Sequence, residues 1–211
     1  MKNLMIPALA VIFIGGGASR RQSVMDALLC DLPGRQTIAF SYQGDIYTVP
    51  SSGGKARQLT THPAHDTRPV WSPDGQRIAF ASNRSGNFDV FLMNKEGGEP
   101  KRLTTHSTNE YPTTFKDNGH ILYLANVLQD AKDIQFPGTR FMQVYEISTD
   151  GGRPDLYSSL YMENIALSKD GSKLLYNDYK GYEDPWRKHH QSSITRDIWL
   201  CTLGKIALSR K

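Results

Sequence analysis

Near the C-terminal end, His189-His190 are followed by Ser192, Ser193 and Asp197, the side-chain types from which a hydrolase assembles a nucleophile, its base and an orienting carboxylate. Closeness along a chain does not bring such groups together, because triads are built from separate elements. No Gly-x-Ser-x-Gly turn occurs anywhere in the sequence, so no catalytic residue is assigned. His62 and His106 each follow a Thr-Thr pair, and Asp74, Asp117 and Asp170 each sit in a turn before Gly. The histidines recur with the repeat and not as a ligand sphere, and the expected role is loop hydrogen-bond donation. One carboxylate per turn falls short of the six to eight oxygens calcium takes, so the aspartates are expected to cap hairpins. No metal and no cofactor is expected.

Two longer segments carry binding chemistry. Asn126 to Phe141 and Asp178 to Arg196 contain Phe136, Arg140, Tyr182, Trp186, Arg187, His189 and His190. Aromatic and cationic groups of this kind suit peptide side chains and carboxylates, and loops of this length inside a compact repeat are often functional. The same residues would equally serve to pack the two insertions onto their neighbours, since loop Trp and Tyr form local cores.

The elements that must position these loops are repeats. Gln36-Thr37-Ile38-Ala39-Phe40 recurs as Gln76-Arg77-Ile78-Ala79-Phe80, as His120-Ile121-Leu122-Tyr123 and as Ser172-Lys173-Leu174-Leu175-Tyr176. A second apolar run follows each copy, at Asp45 to Val49, Asp89 to Met93, Gln143 to Ile147 and Asp197 to Leu200. Paired glycines then appear at Gly53-Gly54, Gly97-Gly98 and Gly151-Gly152, with Gly204 alone in the last copy. Runs of this length, rich in β-branched and aromatic residues and bounded by Gly, Pro, Asp or Asn, read as antiparallel strands. Ser72-Pro73-Asp74-Gly75, Lys116-Asp117-Asn118-Gly119 and Ser168-Lys169-Asp170-Gly171 supply the hairpin turns.

One repeat therefore makes four strands, for example Arg68 to Trp71, Gln76 to Ser82, Phe88 to Asn94 and Pro100 to Thr105. A four-stranded sheet of this size cannot cover both of its faces, so copies must stack face to face as the blades of a β-propeller. The expected fold is all-β, with four blades at about residues 22–66, 67–108, 109–161 and 162–211. The first copy lacks a clear innermost strand around Leu32-Pro33-Gly34-Arg35, and the last stops where its outermost strand would run through Ile206-Ala207-Leu208. The expectation is a part of a larger, six-bladed ring.

Composition bounds the partners. The 211 residues are 38% hydrophobic and 22% charged, with a net charge of +4 carried by scattered basic residues. Without a clustered basic stripe or interleaved stacking aromatics, nucleic acid is not an expected partner. Lys2, the apolar run Leu4 to Ile14 and the small residues Gly15 to Ala18 match a secretory signal peptide over residues 1–18, too short for a stable membrane anchor. Export to the periplasm or medium is expected. Cys30 and Cys201 lack metal-knuckle spacing and are expected to be unpaired and buried.

The stretch Pro69-Val70-Trp71-Ser72-Pro73-Asp74-Gly75-Gln76-Arg77-Ile78-Ala79-Phe80-Ala81-Ser82-Asn83-Arg84 resembles the propeller repeat of TolB and of the amino-terminal propeller of tricorn-type peptidases. Arg102 to His106, Trp186 to Ser193 and Arg196 to Trp199 look more like the secreted bacterial tricorn-like serine peptidases, and the resemblance covers about residues 36–202. In that family a second propeller, a PDZ module and a serine peptidase core follow, and nothing in this sequence matches that core. The resemblance implies a non-catalytic propeller that gates or docks peptides for peptidase domains absent from this chain. The alternative it leaves open is a TolB-like periplasmic protein-interaction module without peptidase activity.

Overall fold

The computed structural model describes residues 37–126, 142–178 and 197–203, which form four antiparallel sheets and no helix among the described residues. The first sheet is β1 (Thr37–Tyr42), β2 (Asp45–Pro50) and β3 (Arg57–Gln58). The second is β4 (Asp66–Trp71), β5 (Arg77–Ser82), β6 (Asp89–Asn94) and β7 (Gly97–Arg102). The third is β8 (Glu110–Phe115), β9 (His120–Ala125), β10 (Gln143–Ser148) and β11 (Asp155–Ser158). The fourth is β12 (Met162–Leu167), β13 (Lys173–Asp178) and β14 (Ile198–Thr202). Strands follow one another in sequence order within every sheet, as in propeller blades. The stretches around Leu32 and around Ile206 lie outside the described residues.

Alternation along the strands decides how the sheets stack. In the second sheet Ile78, Phe80, Phe91 and Met93 join Ala39, Ile46 and Leu59 of the first in one apolar cluster. The intervening Ala79, Val90 and Leu92 point the other way and join Ile121, Tyr123 and Tyr145 of the third. Leu122, Leu124 and Val144 of the third sheet pack in turn on Met162, Ile165 and Leu174 of the fourth. The second and third sheets are thus buried on both faces, which is why β5 and β9 read as continuous apolar runs and not as apolar-polar alternation. Each fully buried Phe, Ile or Leu stabilises this stack by roughly 1.5–3 kcal/mol. The outer face of the fourth sheet, by contrast, exposes Leu175, Ile198 and Leu200.

One cross-strand position recurs in all four sheets as an aromatic pair: Phe40 with Tyr47, Phe80 with Phe91, Tyr123 with Tyr145 and Tyr176 with Trp199. The first three have ring centroids 5.8, 6.0 and 5.7 Å apart. Turn chemistry repeats as well. Ser72 Oγ and Ser168 Oγ donate to the carboxylates of Asp74 and Asp170 at 2.6 Å, and both aspartates accept backbone N–H groups across the turn. Gly75 and Gly171 take φ of 72° and 68° in these two turns. The third sheet departs from the expected pattern: Gly119 stays outside the left-handed region, and Asp117 braces the turn by accepting the Gly119 N–H at 2.7 Å and contacting His120. Cys201 is exposed and free, not buried.

Gly97-Gly98 begins the outermost strand of the second sheet, and the other glycine pairs precede those of the first and third. Gly97 has φ of 84°, and a Cβ there would meet the Leu59 carbonyl oxygen of the first sheet at 3.0 Å; Gly151, also at 84°, has open space. Gly151→Ala should therefore cost about 1 kcal/mol for backbone conformation alone, while Gly97→Ala should cost at least twice that, because a backbone carbonyl must also shift. Urea unfolding of the two variants checks this.

Candidate functional site

None of the seven residues singled out by the sequence is placed: Phe136, Arg140, Tyr182, Trp186, Arg187, His189 and His190 all lie outside the described residues. Within them, the polar chemistry concentrates at the seams between sheets. Asp66, at the start of β4 and fully buried, accepts Nη2 of Arg84 through both carboxylate oxygens at 3.1 and 3.0 Å. The Arg84 guanidinium lies 4.8 Å from the Phe91 ring centroid and 5.7 Å from that of Phe80, and its Nε donates to Ser82 Oγ at 2.9 Å. Asp89, also fully buried, pairs with Arg102 at 2.8 Å. Burial raises the Asp89 carboxyl above its usual range, with Arg102 pulling the other way.

The next seam, between the second and third sheets, opens into a cleft of about 420 Å³ lined by His106, Glu110, Tyr123, Tyr145, Arg153 and Leu156. A side pocket of about 230 Å³ beneath Leu103 and Thr104 shares its His106 and Glu110 walls. Local hydrogen bonds fix these walls. Leu103 N–H donates to the Val90 carbonyl at 2.8 Å, and Thr104 Oγ1 accepts the Val90 N–H at 2.9 Å. Leu59 and Thr60 repeat both bonds on Ile46, so the Leu-Thr-Thr-His element ties the end of the first and second repeats back onto their own sheets. Nδ1 of each histidine accepts a backbone N–H: His62 from Ala64 at 3.0 Å and His106 from Thr108 at 3.2 Å. Asn87 braces the same loop by donating to the carbonyls of His106 and Thr108 at 2.8 and 2.7 Å.

Glu110 is the chemically distinctive group here. It is 1% exposed, and Oε2 has no hydrogen-bond partner among the described residues; the same holds for the fully buried Tyr123 hydroxyl. Burial pushes the Glu110 carboxyl up to about 7, and the Asp89 charge adds to the rise against hydrogen bonds from the Thr104 hydroxyl and the His106 backbone. The Tyr123 phenol is likewise raised, by burial first and by Glu110 second. A carboxyl poised between its two protonation states, beside a phenol and beneath aromatic walls, can accept hydrogen bonds from a cation or donate one to an acceptor. No group of three or more His, Cys, Asp or Glu side chains is placed to hold a metal among the described residues. Sequence reasoning passed over Glu110; its signal was the alignment of Asp66 with Glu110 at the head of consecutive repeats.

This succession of sheets defines blades of a β-propeller. Residues 32–210 match the tricorn protease N-terminal beta propeller domain family, and the chain belongs to that family. A protein TolB homolog of Chlorobium luteolum is 41% identical over 56 residues, which is 26% of this chain and 13% of the relative. TolB from Acinetobacter baumannii superposes with a TM-score of 0.54 at 19% identity, covering 79% of this chain and 38% of that one. The tricorn protease gives a TM-score of 0.55 at 20% identity, over 79% of this chain and 16% of that one. The two structures share the fold, and the chain spans well under half the length of each of these proteins.

A carboxyl raised from about 4.5 to about 7 makes stability pH-dependent. The folded state binds the extra proton between these values, so stability is full below about pH 4.5 and declines as pH rises through 7. Glu110→Gln, which cannot ionise, should flatten that decline and gain roughly 2–3 kcal/mol relative to the native chain at pH 8 against pH 4. Urea midpoints across this range test it.

Proposed function

We propose that this chain is the non-catalytic propeller portion of a tricorn-like serine peptidase, docking or gating peptides for catalytic domains carried elsewhere. The family match over residues 32–210 is the observation that carries this reading. The partial coverage of its relatives fits a chain that works alongside further blades, six in a complete ring, and further domains. Residues 1–18 act in this reading as a signal peptide directing export, and the insertions bearing Phe136, Arg140, Tyr182, Trp186, Arg187, His189 and His190 form a peptide-contacting rim. The TolB relationship favours a second reading, in which the propeller is a periplasmic docking module for proteins and serves no peptidase.

Fluorescence anisotropy with a pool of labelled unstructured peptides separates these roles. The purified chain should bind peptides at micromolar concentrations and leave them intact. Selective binding of folded envelope proteins, with no peptide binding, would favour the docking module. Peptide hydrolysis abolished by His190→Ala would overturn the non-catalytic assignment.

A further inference from the structure

We propose that the cleft between the second and third sheets is a receptor for a guanidinium group, supplied by an arginine side chain of a bound peptide. The choice of a peptide as its source rests on the docking reading above; the pocket chemistry does not.

The second sheet shows what this position does when a guanidinium occupies it. There Arg84 lies over the Phe80–Phe91 pair and is gripped by the buried Asp66. The third sheet repeats the receptor. Tyr123 and Tyr145 occupy the same cross-strand register as Phe80 and Phe91. Glu110 heads β8 as Asp66 heads β4, and each anchors its backbone N–H to the preceding sheet, on Phe88 and Gly44 respectively, at 2.7 Å. An arginine, however, is not repeated at the matching sequence position. Two residues past β5 stands Arg84; two residues past β9 stands Val127, and the Ser82 that accepts Arg84 Nε becomes Ala125. What the third sheet has at this place is a cleft of about 420 Å³ with Glu110 and Tyr123 on its wall.

A guanidinium seated over the tyrosine pair satisfies two costs at once. Its N–H groups donate to Glu110 Oε2 and to the Tyr123 hydroxyl oxygen, both buried and without a hydrogen-bond partner among the described residues. Its flat face stacks on the aromatic pair as Arg84 does on its own. Arg153 and Asp155 line the same cleft, and Asp155 offers a further acceptor. Glu110 also faces Asp89 of β6 with its partner Arg102 of β7, His106 of the preceding loop, Tyr123 of β9 and Tyr145 of β10. Since a cation favours the ionised carboxylate, binding should release a proton and strengthen as pH rises through 7.

Isothermal titration of the 211-residue chain with N-acetyl-arginine amide, and with the uncharged isostere N-acetyl-citrulline amide, tests this. The arginine derivative should bind saturably and at least tenfold more tightly than citrulline, with affinity rising about tenfold from pH 6 to pH 8. Glu110→Gln should abolish that preference, and Tyr123→Phe, which keeps the ring, should weaken binding severalfold without lowering the melting temperature. No binding, equal binding of citrulline, or an unaffected Glu110→Gln variant would overturn the proposal. So would a Glu110 carboxyl titrating below about pH 5 in the free chain, because a cation of the chain itself would then hold it. Peptide binding indifferent to arginine would sink this pocket and spare the docking reading; arginine amide binding without any peptide binding would do the reverse.

Discussion

A sheet whose two faces are both apolar has no way to hide them except against other sheets, and this constraint organises the whole molecule. Ile78, Phe80, Phe91 and Met93 need the first sheet; Ala79, Val90 and Leu92 need the third. Neither set is negotiable, because turning the sheet over or slipping a strand by one residue would exchange the two faces at once. The second and third sheets consequently hold the best-buried side chains, among them Phe80, Ile78, Ile121, Leu122 and Tyr123. On the fourth sheet, Leu175, Ile198 and Leu200 show the same pattern meeting solvent.

Stacking of this kind places any polar group at a seam in a dry environment, where it must be neutralised. Asp66 and Asp89 are held by Arg84 and Arg102, and breaking such a buried pair from one side strands the other charge at a cost of about 3–5 kcal/mol. Glu110 follows a different course: burial raises its carboxyl toward neutrality, where it becomes responsive to whatever enters the cleft beside it.

Much of this architecture is legible in the residues. The recurrence of Gln76-Arg77-Ile78-Ala79-Phe80 gives an interior strand of the second, third and fourth sheets, and Ser72-Pro73-Asp74-Gly75 gives the turn before it in the second, since local spacing controls both. Less legible is anything set by a neighbouring sheet. Gly97 reads as a hairpin glycine, yet the Leu59 carbonyl of another sheet is what presses on it. His106 reads as a donor, yet its Nδ1 accepts from Thr108. Glu110 reads as an ordinary acid, because burial across a seam leaves no local mark. The long insertions stand out in the sequence for their length and aromatic content, but those features carry no information about which groups they bring together.

Amide hydrogen exchange resolved by strand tests the face-to-face stacking most directly. Two-sided burial predicts the slowest exchange in β5, β6, β9 and β10, with protection falling away in β14, where one face meets water. Exchange as slow in β14 as in β5, or fast exchange throughout the second and third sheets, would contradict a stack held together by shared apolar seams.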